Sequence, residues 1–416
     1  MSKLLYNLSI QLLRLGFILA SPFHSKAALF VSGRRNIFSK LHSAFLHRKD
    51  EKLVWVHCAS LGEFEQGRPV IEALKEENKN IKILLTFFSP SGYEVRKDYP
   101  HADYVFYLPW DTPGNAARFV SIIQPSLAIF VKYEFWYNYT HQLKKSGAQI
   151  ISISCILRPG QSFFKSYGGL FRSMLHNFDF FFTQNLETQK LLESIQIKNS
   201  KIAGDTRFDR VMQIIREGEK IADAEKFKNG QRLMVLGSCW PEDMEVMAPF
   251  INEHKNSLKF IIAPHEITES FMKDIEKSLR VKSTRYSLHD QSIEDFDVLI
   301  IDNIGMLAKL YHYGEFAFVG GGFGKGIHNI LEAACYGIPI FFGNKNYEKY
   351  QEANELIMRG GAFEVGDYAD LKTKYNSLID RPENFSLACD VTRSYVEENL
   401  GATRKIVDYC NSQLRK

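Results

Sequence analysis

The chain has 416 residues, of which 45% are hydrophobic and 24% charged, with a net charge of +4 and no low-complexity tract. That length exceeds one ordinary domain and suits two, and the composition is globular, which excludes a disordered or fibrous chain. The surplus charge falls well short of a nucleic-acid binder's, so nucleic acid is not expected as a partner.

The charge is unevenly placed. No Asp or Glu precedes Asp50, whereas Lys3, Arg14, Lys26, Arg34, Arg35, Lys40, Arg48 and Lys49 all do. The same segment, residues 1–50, is apolar through Leu4, Leu5, Leu8, Ile10, Leu12, Leu13, Leu15, Phe17, Ile18 and Leu19. A spanning helix needs about 20 nearly uninterrupted apolar residues, and Asn7, Gln11 and Arg14 interrupt this run. A helix lying on an anionic membrane surface suits the pattern better. The alternative is a helix packed on the protein's own core. Arg14 also breaks the apolar centre that a cleaved signal peptide needs.

From residue 51 to about 210, short apolar runs alternate with amphipathic stretches. The runs 54–57, 81–86, 104–107, 127–131, 150–154, 178–183 and 201–203 read as buried parallel strands, and 68–77, 113–123 and 186–194 as helices between them. This is an α/β domain of the Rossmann-like kind. Three segments at its strand ends carry chemistry. In His57-Cys58-Ala59-Ser60-Leu61-Gly62-Glu63, Glu63 falls near a helix start, where its ionised form is favoured. It suits a base accepting a proton, or equally a helix-capping residue. Lys132-Tyr133-Glu134-Phe135-Trp136-Tyr137-Asn138 follows a strand and suits either a site or an interdomain surface. In Gly204-Asp205-Thr206-Arg207-Phe208-Asp209, Arg207 either neutralises an anion or pairs with Asp205 or Asp209.

A charged linker, 211–230, leads to a second Rossmann-like domain, 231–382. Its strands are expected at 233–236, 259–263, 281–283, 298–301, 316–319, 338–342 and 362–365, and residues 383–416 read as helices that cross back to the first domain. Ligands in such sheets bind beyond the carboxyl ends of strands, so two facing domains would enclose a cleft. Gly237-Ser238-Cys239-Trp240-Pro241 ends one strand and starts a helix with proline, where backbone N–H groups suit phosphate. Ala263-Pro264-His265-Glu266 ends the next, where His265 suits a phosphate or a base. Gly320-Gly321-Gly322-Phe323-Gly324-Lys325-Gly326-Ile327-His328-Asn329-Ile330-Leu331-Glu332 follows 316–319 and leads into an expected helix ending at Gly337. Glycines let that turn approach a ligand, the helix N-terminus favours an anion, and Glu332, one turn in, suits a sugar hydroxyl. The glycines would also serve packing alone. Lys325, in the same run, is left without an assigned role.

Asp295-Phe296-Asp297 has the spacing of a metal–diphosphate site but precedes a strand, so it reads as a solvated turn. No Gly-x-Gly-x-x-Gly follows the first strand, no phosphate-binding Gly-x-x-x-x-Gly-Lys-[Ser/Thr] occurs, and the Cys and His spacings are not those of zinc sites. The cysteines form no Cys-x-x-Cys pair and sit mostly in apolar runs, as reduced buried thiols do.

The order of these blocks resembles the bacterial Kdo transferases (3-deoxy-D-manno-octulosonic acid transferases of lipopolysaccharide assembly) over nearly the whole chain. The resemblance rests on His57 to Glu63, Thr86 to Glu94, Tyr107-Leu108-Pro109-Trp110-Asp111, Glu134-Phe135-Trp136, Gly204 to Asp209, Ala263 to Glu266 and the glycine-rich run to Glu332. It implies a GT-B glycosyltransferase of two facing Rossmann-like domains, anchored by residues 1–50 at the cytoplasmic face of the cell inner membrane. The implied donor is CMP-Kdo and the implied acceptor a lipid A precursor of the lipid IVA kind. The transfer is implied to be inverting, with neither metal nor cofactor. By resemblance Glu63 is the catalytic base, and Glu134 and Arg207 support the transition state. Ser238, Gly321, Gly322 and His328 join the donor site from their own positions. Pro264, His265, Gly305, Met306, Leu307, Asn329, Ile330, Leu331 and Glu332 match the CMP site. Lys132 and Tyr137 depart from the family's Glu-x-Glu-x-Trp-Pro-Asn, and Met306 stands where an acidic residue is common. A sugar-nucleotide epimerase on the same double-domain architecture is the competing reading, and it has no need of the apolar N-terminal segment.

Overall fold

The computed structural model describes residues 3–48, 51–288 and 292–415. The first seven apolar runs form β1 (Leu53–Cys58), β2 (Lys82–Phe87), β3 (Tyr104–Tyr107), β4 (Leu127–Val131), β5 (Gln149–Cys155), β6 (Phe180–Thr183) and β7 (Ser200–Ile202). They make one parallel sheet in the order β3-β2-β1-β4-β5-β6-β7. The second seven are β8 (Leu233–Cys239), β9 (Lys259–Pro264), β10 (Ser283–Arg285), β11 (Val298–Ile300), β12 (Phe316–Val319), β13 (Ile340–Gly343) and β14 (Ala362–Val365). Their order is β10-β11-β9-β8-β12-β13-β14, again parallel.

The chain divides into two units, Met1–Arg210 with Leu400–Lys416, and Val211–Asn399. Each sheet grows outward from its first strand in one direction and then restarts on the other side. The reversal lies between β1 and β4 in one unit and between β8 and β12 in the other. Such a switch point leaves a crevice at the strands' carboxyl ends, because the crossover helices on either side lie on opposite faces.

Strand periodicity decides which residues make the core. On β1, Leu53 and Trp55 enter one apolar cluster, while Val54 and Val56 enter the cluster on the opposite face. The last helix, Ala402–Leu414, covers that opposite face with the stripe Ala402, Ile406, Val407, Cys410 and Leu414. The preceding helix, Pro382–Glu398, belongs to the second unit.

Three helices, Lys3–Ala20, Ser25–Ser32 and Ile37–Phe45, precede β1. The first buries Tyr6 and Ile10 and stacks Phe17 on Phe30, with ring centroids 4.2 Å apart. Its other face leaves Leu4, Leu8, Leu12 and Leu19 in solvent. It is thus both packed on the protein and apolar outward. Among the described residues it is the one helix long and apolar enough, by length and composition, to cross a membrane.

Two polar contacts fix this segment. The Tyr6 hydroxyl donates to Asp111 at 2.6 Å, and Asp111 also accepts from the backbone N–H groups of Asn138 and Tyr139. Burial pushes the Asp111 carboxyl up to about 6, against the pull of those donors. Arg34 is buried without a carboxylate. Its guanidinium donates to the carbonyls of Leu108, Phe30 and Phe88 and lies over the rings of Phe88 and Trp110. Burial lowers its pKa to about 10, which leaves it charged at neutral pH.

One expected element differs. The helix after the glycine-rich run is only Leu331–Ala334, and residues 321–330 are turn and loop. Gly337, at φ +69°, and Pro339 stop it early. Glu332 is therefore its second residue, not one turn in, and four residues carry little of the dipole a long helix would offer.

Candidate active site

In the first unit, Ser60 immediately precedes the helix Leu61–Glu77 without a side-chain capping bond, and Glu63 lies in the helix's first turn. The Ser60 hydroxyl donates to the Glu63 carboxylate. Lys132 Nζ stands 4.0 Å from Glu63 Oε1, so the residue that departs from the family pattern is the one that meets the candidate base. Lys132 sits just past β4 at φ +65°, a conformation a lysine rarely adopts. Its own N–H bonds the carbonyl of Ile153, and the Ser152 hydroxyl donates to its carbonyl. These bonds hold the strained turn in place.

Glu134 follows two residues later. The indole N–H of Trp136 donates to it at 3.1 Å, and His57 Nε2 lies 3.7 Å away. His57 is fully buried, and its Nδ1 lies 2.9 Å from the Thr86 hydroxyl. Arg207 takes the paired alternative, with Nε and Nη2 on Asp205 at 2.9 and 2.8 Å. Asp205 is itself buried and accepts from Gln66. Burial works to raise the Asp205 carboxyl, but the Arg207 guanidinium outweighs it and the net shift is downward. The Tyr133 phenol is pushed up by burial and then by Glu63 and Glu134. The three catalytic candidates thus follow β1, β4 and β7, and Glu63 and Glu134 flank the switch point itself.

In the second unit, β8, β9 and β12 are neighbours. Beyond their carboxyl ends three rings stack: Trp240 on His265 with centroids 4.3 Å apart, and His265 on His328 at 4.4 Å. The Trp240 indole N–H donates to His328 Nε2 at 3.0 Å, and Lys325 Nζ lies 4.0 Å over the Trp240 ring. Burial, with His265 next, lowers the His328 pKa to about 4, so that ring is neutral and accepts the bond. Burial also lowers His265. Asp243 takes the N–H groups of Trp240 and Gly321, both at 2.8 Å, and ties the helix start to the glycine-rich loop. Burial raises its carboxyl to about 6.

Gly320 and Gly322 are required by packing. A Cβ on Gly322 would stand 2.4 Å from the carbonyl oxygen of Gly343, and one on Gly320 2.3 Å from that of Ser238. Ser238 itself lies at φ +54°, at an irregularity where β8 shifts register against β9. Pro264 ends β9, which puts His265 at the edge. Asn329 donates to Glu332 at 3.0 Å. Ile330 and Leu331 are wholly buried, so they serve the core and present nothing to a ligand in this structure. Gly305, at φ +100°, and Met306 precede the short helix Leu307–Leu310, whose Leu307 packs by Gly237. No contact joins Gly305 or Met306 to the ring stack among the described residues.

Two features lay beyond sequence reasoning, the ring stack and the Lys132–Glu63 approach. Both depend on which strand ends are neighbours. Trp240 directly after a strand was the one signal of the first. Among the described residues no group of His, Cys, Asp and Glu gathers as a metal site would require.

Two parallel seven-stranded sheets of this order, each with a furnished switch point, define the GT-B class of α/β proteins. A UDP-GlcNAc 2-epimerase from Neisseria meningitidis, solved bound to UDP-GlcNAc, shares the fold with a TM-score of 0.62 at 15% identity, over 87% of this chain and 100% of its own. Within that class the chain belongs to the 3-deoxy-D-manno-octulosonic acid transferases. The family described as 3-Deoxy-D-manno-octulosonic-acid transferase (kdotransferase) matches residues 34–210. The 3-deoxy-D-manno-octulosonic acid transferase of Aquifex aeolicus is 30% identical over 78% of this chain and 86% of its own. That of Chlamydophila psittaci is 28% identical over 80% and 78%.

Proposed function

We propose that this transferase moves Kdo from CMP-Kdo to a sugar hydroxyl of a lipid A precursor of the lipid IVA kind, at the cytoplasmic face of the inner membrane. The observation that carries the reading is Glu63, a carboxylate in a helix's first turn at the switch point, hydrogen-bonded by Ser60 with Lys132 4.0 Å away. Glu63 takes the proton from the acceptor hydroxyl. The freed oxygen pair forms the new bond to the anomeric carbon of Kdo as the bond to the CMP phosphate breaks and its electrons leave with CMP. One displacement inverts the anomeric centre. Glu134 and Arg207 support the charge that shifts in this step.

On the donor side, the Trp240–His265–His328 stack offers flat surfaces for the cytosine, and Lys325 over that stack approaches the phosphate, while the Gly321 N–H stays on Asp243. Glu332 is assigned to the ribose hydroxyls. With a four-residue helix behind it, the glycine-rich loop relies on Lys325 more than on a dipole. One phosphate of charge is within reach of such groups without a metal. The exposed face of the first helix suits a membrane surface and an acyl-bearing acceptor.

The test is incubation of the protein with CMP-Kdo and a tetra-acylated lipid A precursor, with products read by mass and the new linkage by NMR. A Kdo-bearing lipid with inverted anomeric configuration is expected. An epimerised nucleotide sugar, or retained configuration, overturns the reading.

A further inference from the structure

A cavity of about 490 Å³ opens beside the apolar first helix, and no residue of the catalytic edge lines it. Arg14, Arg35 and Arg118 line it, with Arg34 at its floor and Asn115 and Ser39 beside them. No carboxylate lines it. Arg14, Arg35 and Arg118 are exposed, and none of the ion pairs among the described residues engages them. They come from separate elements: the first helix, the turn before Ile37–Phe45, and the helix Pro113–Ile123. Three exposed guanidiniums lining one cavity with no carboxylate among them, one of them over the Phe38 ring, make it attractive to an anion. Phosphate, like carboxylate, has oxygens that match paired guanidinium N–H groups, and it is the anion that every acidic phospholipid presents at a membrane surface. Apolar surface adjoins the charge, because Ile18 lines the same cavity at 41% exposure and Leu15 lies one turn back at 49%.

We propose that this cavity binds the phosphate headgroup of an acidic membrane phospholipid, whose acyl chains run along Leu15 and Ile18. The proposal rests on the membrane-surface reading above and adds to it a discrete headgroup site separate from the transfer site. A diffuse attraction of the basic segment to a charged surface needs no contribution from Arg118, which lies outside residues 1–50. A site does.

The test is co-flotation of the full chain with phosphatidylcholine vesicles, with and without phosphatidic acid. The protein is expected to bind the phosphatidic acid vesicles more tightly. Arg35→Gln and Arg118→Gln should each weaken that binding about fivefold, as the loss of one cation near an anionic surface does. Lys40→Gln, which removes an exposed charge from the same segment outside the cavity, should cost less than either. Equal loss in all three variants, or none in Arg118→Gln, overturns the site in favour of diffuse attraction. A raised KM for the lipid acceptor with vesicle binding intact assigns the cavity to the acceptor instead, which also overturns it. Affinity for CMP-Kdo, measured on the same variants, should not change. Failure of donor binding in the unsubstituted protein would count against the transferase reading and leave the headgroup site standing.

Discussion

The two switch points are topologically the same and chemically opposite. Beside β1 and β4 the edge carries charge: Glu63 with Lys132, Glu134 with His57, and Asp205 with Arg207. Beside β8 and β12 it carries rings and glycines: Trp240, His265 and His328 over a loop that admits no Cβ at Gly320 or Gly322. Topology decides where a ligand can lie, and side chains decide what happens to it. Opposed carboxylates and cations can move protons and balance developing charge. Stacked neutral rings beside a lysine can hold a flat, anionic group and do little else.

If that division is right, substitutions on the two edges should separate kcat from binding. The largest effect is expected from Glu63→Gln, which removes the base while keeping shape. Loss of a general base costs roughly 10²- to 10⁴-fold in rate, so kcat should fall by that order while the dissociation constant for CMP-Kdo stays put. A comparable loss of donor affinity would break the comparison. Next comes Trp240→Ala. A stacked ring contributes about 1–3 kcal/mol to holding a base, so CMP affinity should fall roughly tenfold, with kcat at saturating donor largely kept. A fall in kcat alone would move Trp240 to the chemical step.

Asp243→Ala tests what holds the ring edge together. It leaves two N–H groups, of Trp240 and Gly321, without their acceptor, at a cost of about 1–3 kcal/mol. Chemical denaturation should show the second unit weakened, whereas Asp243→Asn, which keeps an acceptor oxygen, should weaken it less. The smallest effect concerns pH. His328 is depressed to about 4, so the unfolded chain binds its proton first as pH falls, and this contribution makes stability rise from about pH 4 to the ordinary His range. Asp243 is raised to about 6, so the folded state keeps a proton the unfolded chain has lost, and its contribution falls over nearly the same window. The two oppose each other on one edge. His328→Asn removes most of the rising part, so the melting temperature at pH 6 minus that at pH 4 should drop by a few degrees (about 2–4 °C accompanies 1 kcal/mol in a domain of roughly this size). An unchanged difference would mean that His328 is not held neutral by the stack.

Much of this was legible beforehand, and the reason is physical. Buried parallel strands are continuous apolar runs, so the inner strands were visible in the chain, whereas the edge strands β7 and β10, short and only partly buried, overlap the expected runs at their margins. Glu63 was legible because Ser60 and Glu63 have capping spacing directly after a strand, and the bond between them is local. The Lys132–Glu63 approach was not, since it needs β4 to lie beside β1. The Arg207–Asp205 pair was an open alternative, and burial of Asp205 decided it, because a buried carboxylate must find a cation. The helix after the glycine-rich run was overestimated because Asn329 to Tyr336 has ordinary helix formers, while the loop before it and Gly337 after it leave room for one turn.

The bond between Tyr6 and Asp111 has a practical side. The first helix, with its row of exposed leucines, invites removal by anyone wishing to purify the protein without detergent. Doing so would strip Asp111 of the Tyr6 hydroxyl and Asn138 of its contact with Asn7, at the base of the loop that presents Glu134. A trimmed chain would then dissolve better and catalyse worse. Substituting the outward leucines one by one with polar residues, Tyr6 and Ile10 untouched, is the gentler route to a soluble enzyme.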